Sequence, residues 1–301
     1  MLFKLGCMSN AFMYQPLEEA LKGVRQAGFE AVDLWTNRPH MYPGDYDKAE
    51  RLRIRRLCDD IGLEISVLDC IHVNYSTVGI TPPVGPYSSG ELYPDGHIFA
   101  FRPNGAEPLF NCLDPKMREA RMDYMKAVID MAVDLGVSTV ESLTGLTTTH
   151  PKKAIELAFE GTKEIVRYAE KKKITVAMES AEEIIIGTPE EIKDMIDKIG
   201  SPYLKMTLDI GHLEHERRDI VDVFEKMKDY TVNVHVDDIY QHKYFGLVPG
   251  DGDIDWISVL TAIKNTGYNK AFSLEVYSQA LDPVPAVNEG YRYLTECFKK
   301  I

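Results

Sequence analysis

Four acid or imidazole side chains close short apolar runs in the second half of the chain: Glu179 ends ITVAMES, Asp209 ends KMTLD, His235 ends TVNVH and Glu275 ends AFSLE, counting to the last acid or imidazole of each run. The residues before each are of the kind that is buried, and a carboxylate carried inside with them costs several kcal/mol unless it meets a cation. No Lys or Arg stands at these run ends, so a bound divalent ion is the simplest neutralising charge. Three carboxylates and one imidazole form a mixed oxygen and nitrogen donor set. Such a set suits manganese first, with magnesium and cobalt close behind and zinc open as well. Any one of the four alone could be a hydrogen-bonded structural group; it is their joint placement that points to a metal.

Further candidates surround this set. His212 follows Asp209 by three residues in LDIGH, within reach of a ligand held on the ion. Trp35 closes the second apolar run and His72 follows the third, which makes both candidates for substrate contact. In PGDGDIDW, Asp253 or Asp255 can cap a following helix, with Asp255 the better placed, while Gly250 and Gly252 would let backbone approach a substrate.

The elements that must position these residues repeat as a unit: an amphipathic helical stretch, a glycine, then a run rich in Val, Ile and Leu. In the clearest copies Gly28, Gly62, Gly136 and Gly200 stand at the helix stop. The runs KLGCMS, AVDLW, EISVLD, STVES, ITVAMES, LKMTLDIG, TVNVHV and FSLEV read as eight parallel strands, each followed by a helix. Such βα repetition closes as a barrel or stays open, and the count of eight favours an α/β (β/α)8 barrel. Neither GxGxxG after the first strand nor GxxxxGK[ST] occurs, which removes the usual reasons to expect an open nucleotide-binding sheet. In such a barrel the active site lies at the C-terminal ends of the strands, where all four acid and imidazole groups stand.

One barrel accounts for residues 1–301. Its rhythm breaks only after the third strand, at about 71–114, where six prolines and Tyr75, Tyr87, Tyr93, Phe99, Phe101 and Phe110 build a long loop. Its aromatic content fits a substrate-covering lid, with packing against a neighbouring subunit as the alternative. A net charge of -13 repels a phosphate backbone, and no basic patch offsets it. No nucleic acid or membrane partner is expected. Five widely spaced cysteines without a CxxC pair suit a reducing cytoplasm, and the N-terminus has no signal-peptide pattern.

The set Glu179, LDIGH, His235 in VHVDD, PGDGDIDW and Glu275 in SLEV resembles the sugar phosphate isomerase/epimerase family of xylose-isomerase-like barrels, the superfamily that also holds the abasic-site endonucleases. The resemblance runs nearly the whole chain in order and spacing, with specific motifs in the second half. It implies that Glu179, Asp209, His235 and Glu275 hold the ion, that Glu179 and Glu275 also exchange protons with a substrate carbon through a metal-stabilised enediolate, and that His212 contacts a substrate oxygen. Ketose epimerases of that family carry a substrate-binding arginine six residues after the metal histidine; this chain has Gln241 there, with Lys243 as a stand-in. The endonucleases' later DxH ligand pair is missing, so that activity is not expected.

The function expected from the resemblance is a divalent-metal-dependent isomerase or epimerase of a sugar, sugar phosphate or polyol. The alternatives are a lyase on a keto-sugar, dehydrating an inosose or releasing the aglycone of a 3-oxo-glycoside, and a non-catalytic barrel. The partner is a small sugar, sugar derivative or glycoside. A homo-oligomer is expected, with completion by a different subunit as an alternative.

Overall fold

The computed structural model describes residues 4–70, 109–146, 150–182, 184–277 and 279–301. Eight parallel strands close into a barrel: β1 (Lys4–Met8), β2 (Ala31–Trp35), β3 (Glu64–Asp69), β4 (Thr139–Ser142), β5 (Thr175–Ser180), β6 (Leu204–Asp209), β7 (Thr231–Val236) and, last in the chain, β10 (Ala271–Leu274). Each neighbour in space is the neighbour in sequence among these eight, and β10 closes the ring between β7 and β1. The expected (β/α)8 architecture is therefore the observed one. A hairpin of β8 (Asp238–Tyr240) and β9 (Tyr244–Leu247) follows β7.

The helices form where local signals agree. The helix α1 (Leu17–Ala27) buries Leu17, Ala20, Leu21 and Val24, one stripe at helical spacing, and Gly28 stops it at φ 113°. In α5 (Pro189–Ile199) the Thr188 hydroxyl accepts the Glu191 N–H while Glu191 reaches back, a capping box, and Gly200 ends it at φ 69°. The helices α2 (Lys48–Ile61), α3 (Pro115–Leu135), α4 (Pro151–Glu170), α7 (Ile220–Met227), α8 (Trp256–Asn265) and α9 (Pro283–Phe298) complete the outer ring. The short α6 (Ile210–His215) begins directly on Asp209.

Most of the long segment after β3 lies outside the described residues, so the expected lid and His72 do too. Its last part is described: Phe110 is fully buried, with Gly161 of α4 and the Arg121 guanidinium against it. That aromatic belongs to the packing between barrel and helices.

The barrel interior is polar although the strands are buried on both sides. Side chains two apart share a face, and the inward series includes Asp33, Glu141, Thr207, Asn233 and Ser273, each with no exposure. The strands' outward faces, with Val32, Val140, Leu208, Val234 and Leu274, carry the apolar packing against the helices. Burial on both sides of a parallel strand thus coexists here with a polar centre.

Candidate metal centre and active site

Two residues beyond Thr207, Asn233 and Ser273 on the inner face come Asp209, His235 and Glu275, and Glu179 of β5 joins them at the same level. Strand pairing puts Asp209 in register with His235, while Glu179 pairs with Thr207 and His235 with Ser273, so it is the stagger of tilted strands around the closed barrel that brings the four together. One ligand atom from each of Glu179, Asp209, His235 and Glu275 lies within 4.8 Å of all the others, and all four residues are buried. The imidazole Nδ1 faces this group, 2.9 Å from Glu179 Oε1, 3.1 Å from Glu275 Oε2 and 4.0 Å from Asp209 Oδ2.

The electrostatics are those of a buried acid cluster around one imidazole. Burial, with Glu275 and Asp209 close by, raises the Glu179 carboxyl to about 7 against the pull of His235. Burial raises Asp209 as well. For His235 burial alone would lower basicity, yet Glu141, Glu275, Asp33 and Glu179 together hold it well above its ordinary value. A divalent ion held by these four donors would supply the counter-charge, and the buried oxygen-rich donor set fits one.

Neighbouring groups aim the donors. Asn10, in the turn after β1, donates from Nδ2 to Glu275 Oε1 at 3.1 Å. The His212 backbone N–H donates to Asp209 Oδ1 at 3.0 Å, so the start of α6 orients that carboxylate. His212 Nδ1 pairs with Glu182, which follows β5. Burial lowers the His212 imidazole, but Asp209 and Glu182 outweigh it and hold the ring well above its usual value. Asp237 is buried beside them with Oδ2 on the Gly246 N–H at 2.9 Å and Oδ1 without a partner among the described residues.

The remaining sequence candidates take other positions. Trp35 sits at the end of β2, packed with Met13, Tyr277 and Ala280, its ring edge-on to His40 at 5.6 Å and its Nε1 without a partner among the described residues. Gln241 and Lys243 are exposed on the turn of the β8–β9 hairpin, outside the four-donor group. Gln241 and His242 hold φ of 56° and 52° there; such left-handed backbone costs about 1–2 kcal/mol per residue with a Cβ. The turn is tied down by His215 Nδ1 on the His242 carbonyl at 2.8 Å and by His242 Nδ1 on the Glu214 carbonyl at 2.9 Å.

The glycines of PGDGDIDW serve a different purpose from the expected approach to substrate. Asp238 accepts from Gly250 N at 2.7 Å, Ile239 N at 2.9 Å, Ile254 N at 3.3 Å and Trp256 Nε1 at 2.9 Å. A Cβ on Gly252 would fall 2.2 Å from Asp238 Oδ1, so this glycine makes room for the clamp. Asp255 caps α8 through the Ser258 N–H at 3.1 Å, as expected, and Asp253 takes the Gln241 N–H at 2.7 Å.

Sequence reasoning passed over Asn10, Glu182, Asp237, Asp33 and Glu141. Two of these were detectable by the signal used for the four donors: Asp33 in AVDLW and Glu141 in STVES are also acids inside apolar runs.

Residues 21–297 match the xylose isomerase-like TIM barrels, and the chain belongs to that family. Among its relatives, fructoselysine 3-epimerase of Shigella flexneri is 19% identical over 284 residues, 93% of this chain and 92% of that one. D-Psicose 3-epimerase of Enterocloster bolteae is 29% identical over 123 residues, 40% of this chain and 39% of that one. In three dimensions the chain superposes on an L-ribulose 3-epimerase with a TM-score of 0.75 at 16% identity, covering 99% of this chain and 96% of the other. Among the described residues no helix is long and apolar enough to cross a membrane.

Proposed function

We propose that this protein is a divalent-metal-dependent epimerase of a ketose or ketose derivative, moving a proton at the carbon beside the carbonyl. The observation that carries the reading is the buried group of Glu179, Asp209, His235 and Glu275, with ligand atoms within 4.8 Å of one another. These four would hold the ion, read as manganese. When bound, the ion would offset negative charge developing on a carbonyl oxygen and its neighbouring hydroxyl.

The chain's own residues would do the rest. In the barrel, β6 and β7 separate β5 from β10, so Glu179 and Glu275 reach the site from opposite sides of Asp209 and His235. One carboxylate takes the proton from one face of the reacting carbon and the other returns a proton to the opposite face, which inverts the centre. Asn10 holds Glu275 in place from the back, and His212, fixed by Glu182, donates a hydrogen bond to a substrate oxygen. The relatives named as 3-epimerases support the third carbon of a ketose as the reacting centre. Gln241 and Lys243 on the hairpin turn, with Trp35 at the rim, complete the substrate contacts in this reading. All five cysteines are free, which supports a cytoplasmic home.

The test is incubation of the manganese-loaded protein in heavy water with free ketoses, ketose phosphates and amino-acid-bearing ketose derivatives. Deuterium at a single carbon of both the epimer and the recovered substrate is the expected outcome. An unsaturated product or a released aglycone would make the enzyme a lyase instead, and metal-loaded protein that exchanges no proton with any of these would overturn the substrate class.

A further inference from the structure

Beneath the four donors the barrel holds a second polar layer, and its contacts are specific. The His235 ring spans the two. Its Nδ1 faces Glu179, Glu275 and Asp209, while Nε2 faces down, 3.3 Å from Glu141 Oε1 and 3.6 Å from Asp33 Oδ2. If Nδ1 is to offer its lone pair to an ion, the ring proton must sit on Nε2, and a buried N–H needs an acceptor.

Two carboxylates face it, and Glu141 offers the nearer and less engaged oxygen. Asp33 is already engaged at both oxygens: Oδ1 takes the Ser66 hydroxyl at 2.6 Å and Oδ2 takes Asn233 Nδ2 at 2.8 Å. Glu141 Oε2 takes Thr207 Oγ1 at 2.5 Å and Asn233 Nδ2 at 3.0 Å. Glu141 Oε1 is buried, has no hydrogen-bond partner among the described residues, and is the carboxylate oxygen nearer to Nε2. Asn233 Nδ2 also lies 3.1 Å from Nε2, but an amide N–H donates and cannot receive the imidazole proton. Its oxygen is turned away to the Val234 N–H at 3.0 Å.

We infer that Glu141 is the positioning residue of the metal centre: its Oε1 accepts the Nε2–H of His235, which fixes the ring's tautomer and leaves Nδ1 as the ligand atom. This rests on reading Glu179, Asp209, His235 and Glu275 as a metal set. A carboxylate behind a metal-bound imidazole orients the ring and strengthens it as a donor. The effect is strong here because both partners are fully buried. Thr207 and Asn233 hold the other oxygen, so the carboxylate cannot turn away from the ring. Glu141 itself touches neither ion nor substrate.

The test compares Mn2+ affinity, by electron paramagnetic resonance of free Mn2+, in wild type, Glu141→Gln and Ser66→Ala. In Glu141→Gln the amide nitrogen avoids the donors Thr207 and Asn233 and turns to Nε2, which favours the tautomer with the proton on Nδ1. The Kd is expected to rise about 10–100-fold. Ser66→Ala, in the same layer but off the Nε2–H, is expected within about threefold of wild type. Glu141→Asp keeps a carboxylate and should recover part of the lost affinity. Long-range 15N spectra of histidine-labelled, Mg2+-loaded wild type should show the proton of His235 on Nε2, a readout that does not depend on any variant folding.

Unchanged Mn2+ affinity in Glu141→Gln, an equal loss in Ser66→Ala, or a proton on Nδ1 in the loaded wild type would each overturn the assignment. Wild type that binds none of Mn2+, Mg2+, Co2+ or Zn2+ is a separate failure, since it removes the metal reading beneath the assignment.

Discussion

Glu179 carries two assignments at once, ion ligand and proton carrier, and its environment bears on both. Burial has raised its carboxyl to about 7. Its ordinary value is about 4.3, so between these limits the folded, ion-free protein keeps a proton that the unfolded chain releases. Ion-free stability from this group is therefore full at acid pH and is lost as pH rises through 7. Binding an ion expels the same proton, so Mn2+ affinity should climb as pH rises toward 7 and level off above it. Calorimetry in buffers of different ionisation enthalpy measures this directly, and an affinity flat from pH 5 to 8 would contradict it. For the proton transfers, Glu179→Gln and Glu275→Gln should each lower kcat by about 10²–10⁴ with an unchanged circular dichroism spectrum. Wild-type turnover in both would remove the assigned roles. His212→Ala should keep the ion and lose turnover, which metal analysis beside steady-state kinetics would reveal.

At the scale of elements, the segment between β7 and α8 depends on one buried side chain. Asp238 gathers three backbone N–H groups and the Trp256 indole N–H, and Gly252 exists in the space the carboxylate needs. Asp238→Ala strands these donors in a buried place. Such groups each cost about 1–3 kcal/mol when left unpaired, and partial solvation brings the expected total to about 3–5 kcal/mol. Urea denaturation followed by tryptophan fluorescence would measure it, with Trp256 itself in the affected segment. A loss below 1 kcal/mol would mean the loop repacks around the gap. The same segment explains a misreading of the sequence: PGDGDIDW has glycines of the kind that admit a ligand, but the group admitted is a side chain of the protein itself.

For the whole molecule, the ion and the proton act as opposing stabilisers. An ion that binds only the folded chain adds RT ln(1 + [L]/Kd), about 2.7 kcal/mol at one hundred times Kd. Manganese should therefore raise Tm and a chelator should reverse it; no shift would count against the metal centre. A second, independent pH response comes from His40, whose ring is held between the Ser9 hydroxyl and the Phe12 and Gln15 carbonyls. Burial, only partly countered by those carbonyls, lowers it to about 4. Below about 6.5 the unfolded chain takes a proton that the folded chain refuses, so stability falls as pH drops from 6.5 to 4, by about 3 kcal/mol at most. His40→Asn should flatten that part of the stability profile; an unchanged slope would assign it to other groups.

The eight strands were legible in the sequence because each is a short run of Val, Ile, Leu and Met bounded by helix stops, and the pattern repeats often enough to be counted. The four donors were legible because an acid or imidazole closing such a run has no inexpensive place in a core. What the sequence could not express is the layer in which each acid falls. Glu141 and Asp33 lie in apolar runs as Glu179 does, yet they fall one layer lower, a matter of strand stagger around a closed barrel and not of any local pattern. Glu182 and Asn10 enter the site from turns, where no periodicity marks them. Residue type and spacing by themselves determined the barrel and the group of acids and imidazole at its mouth. Only closure of the sheet decided which side chains meet, because side chains from strands far apart in the chain share a level only once the register around the ring is set.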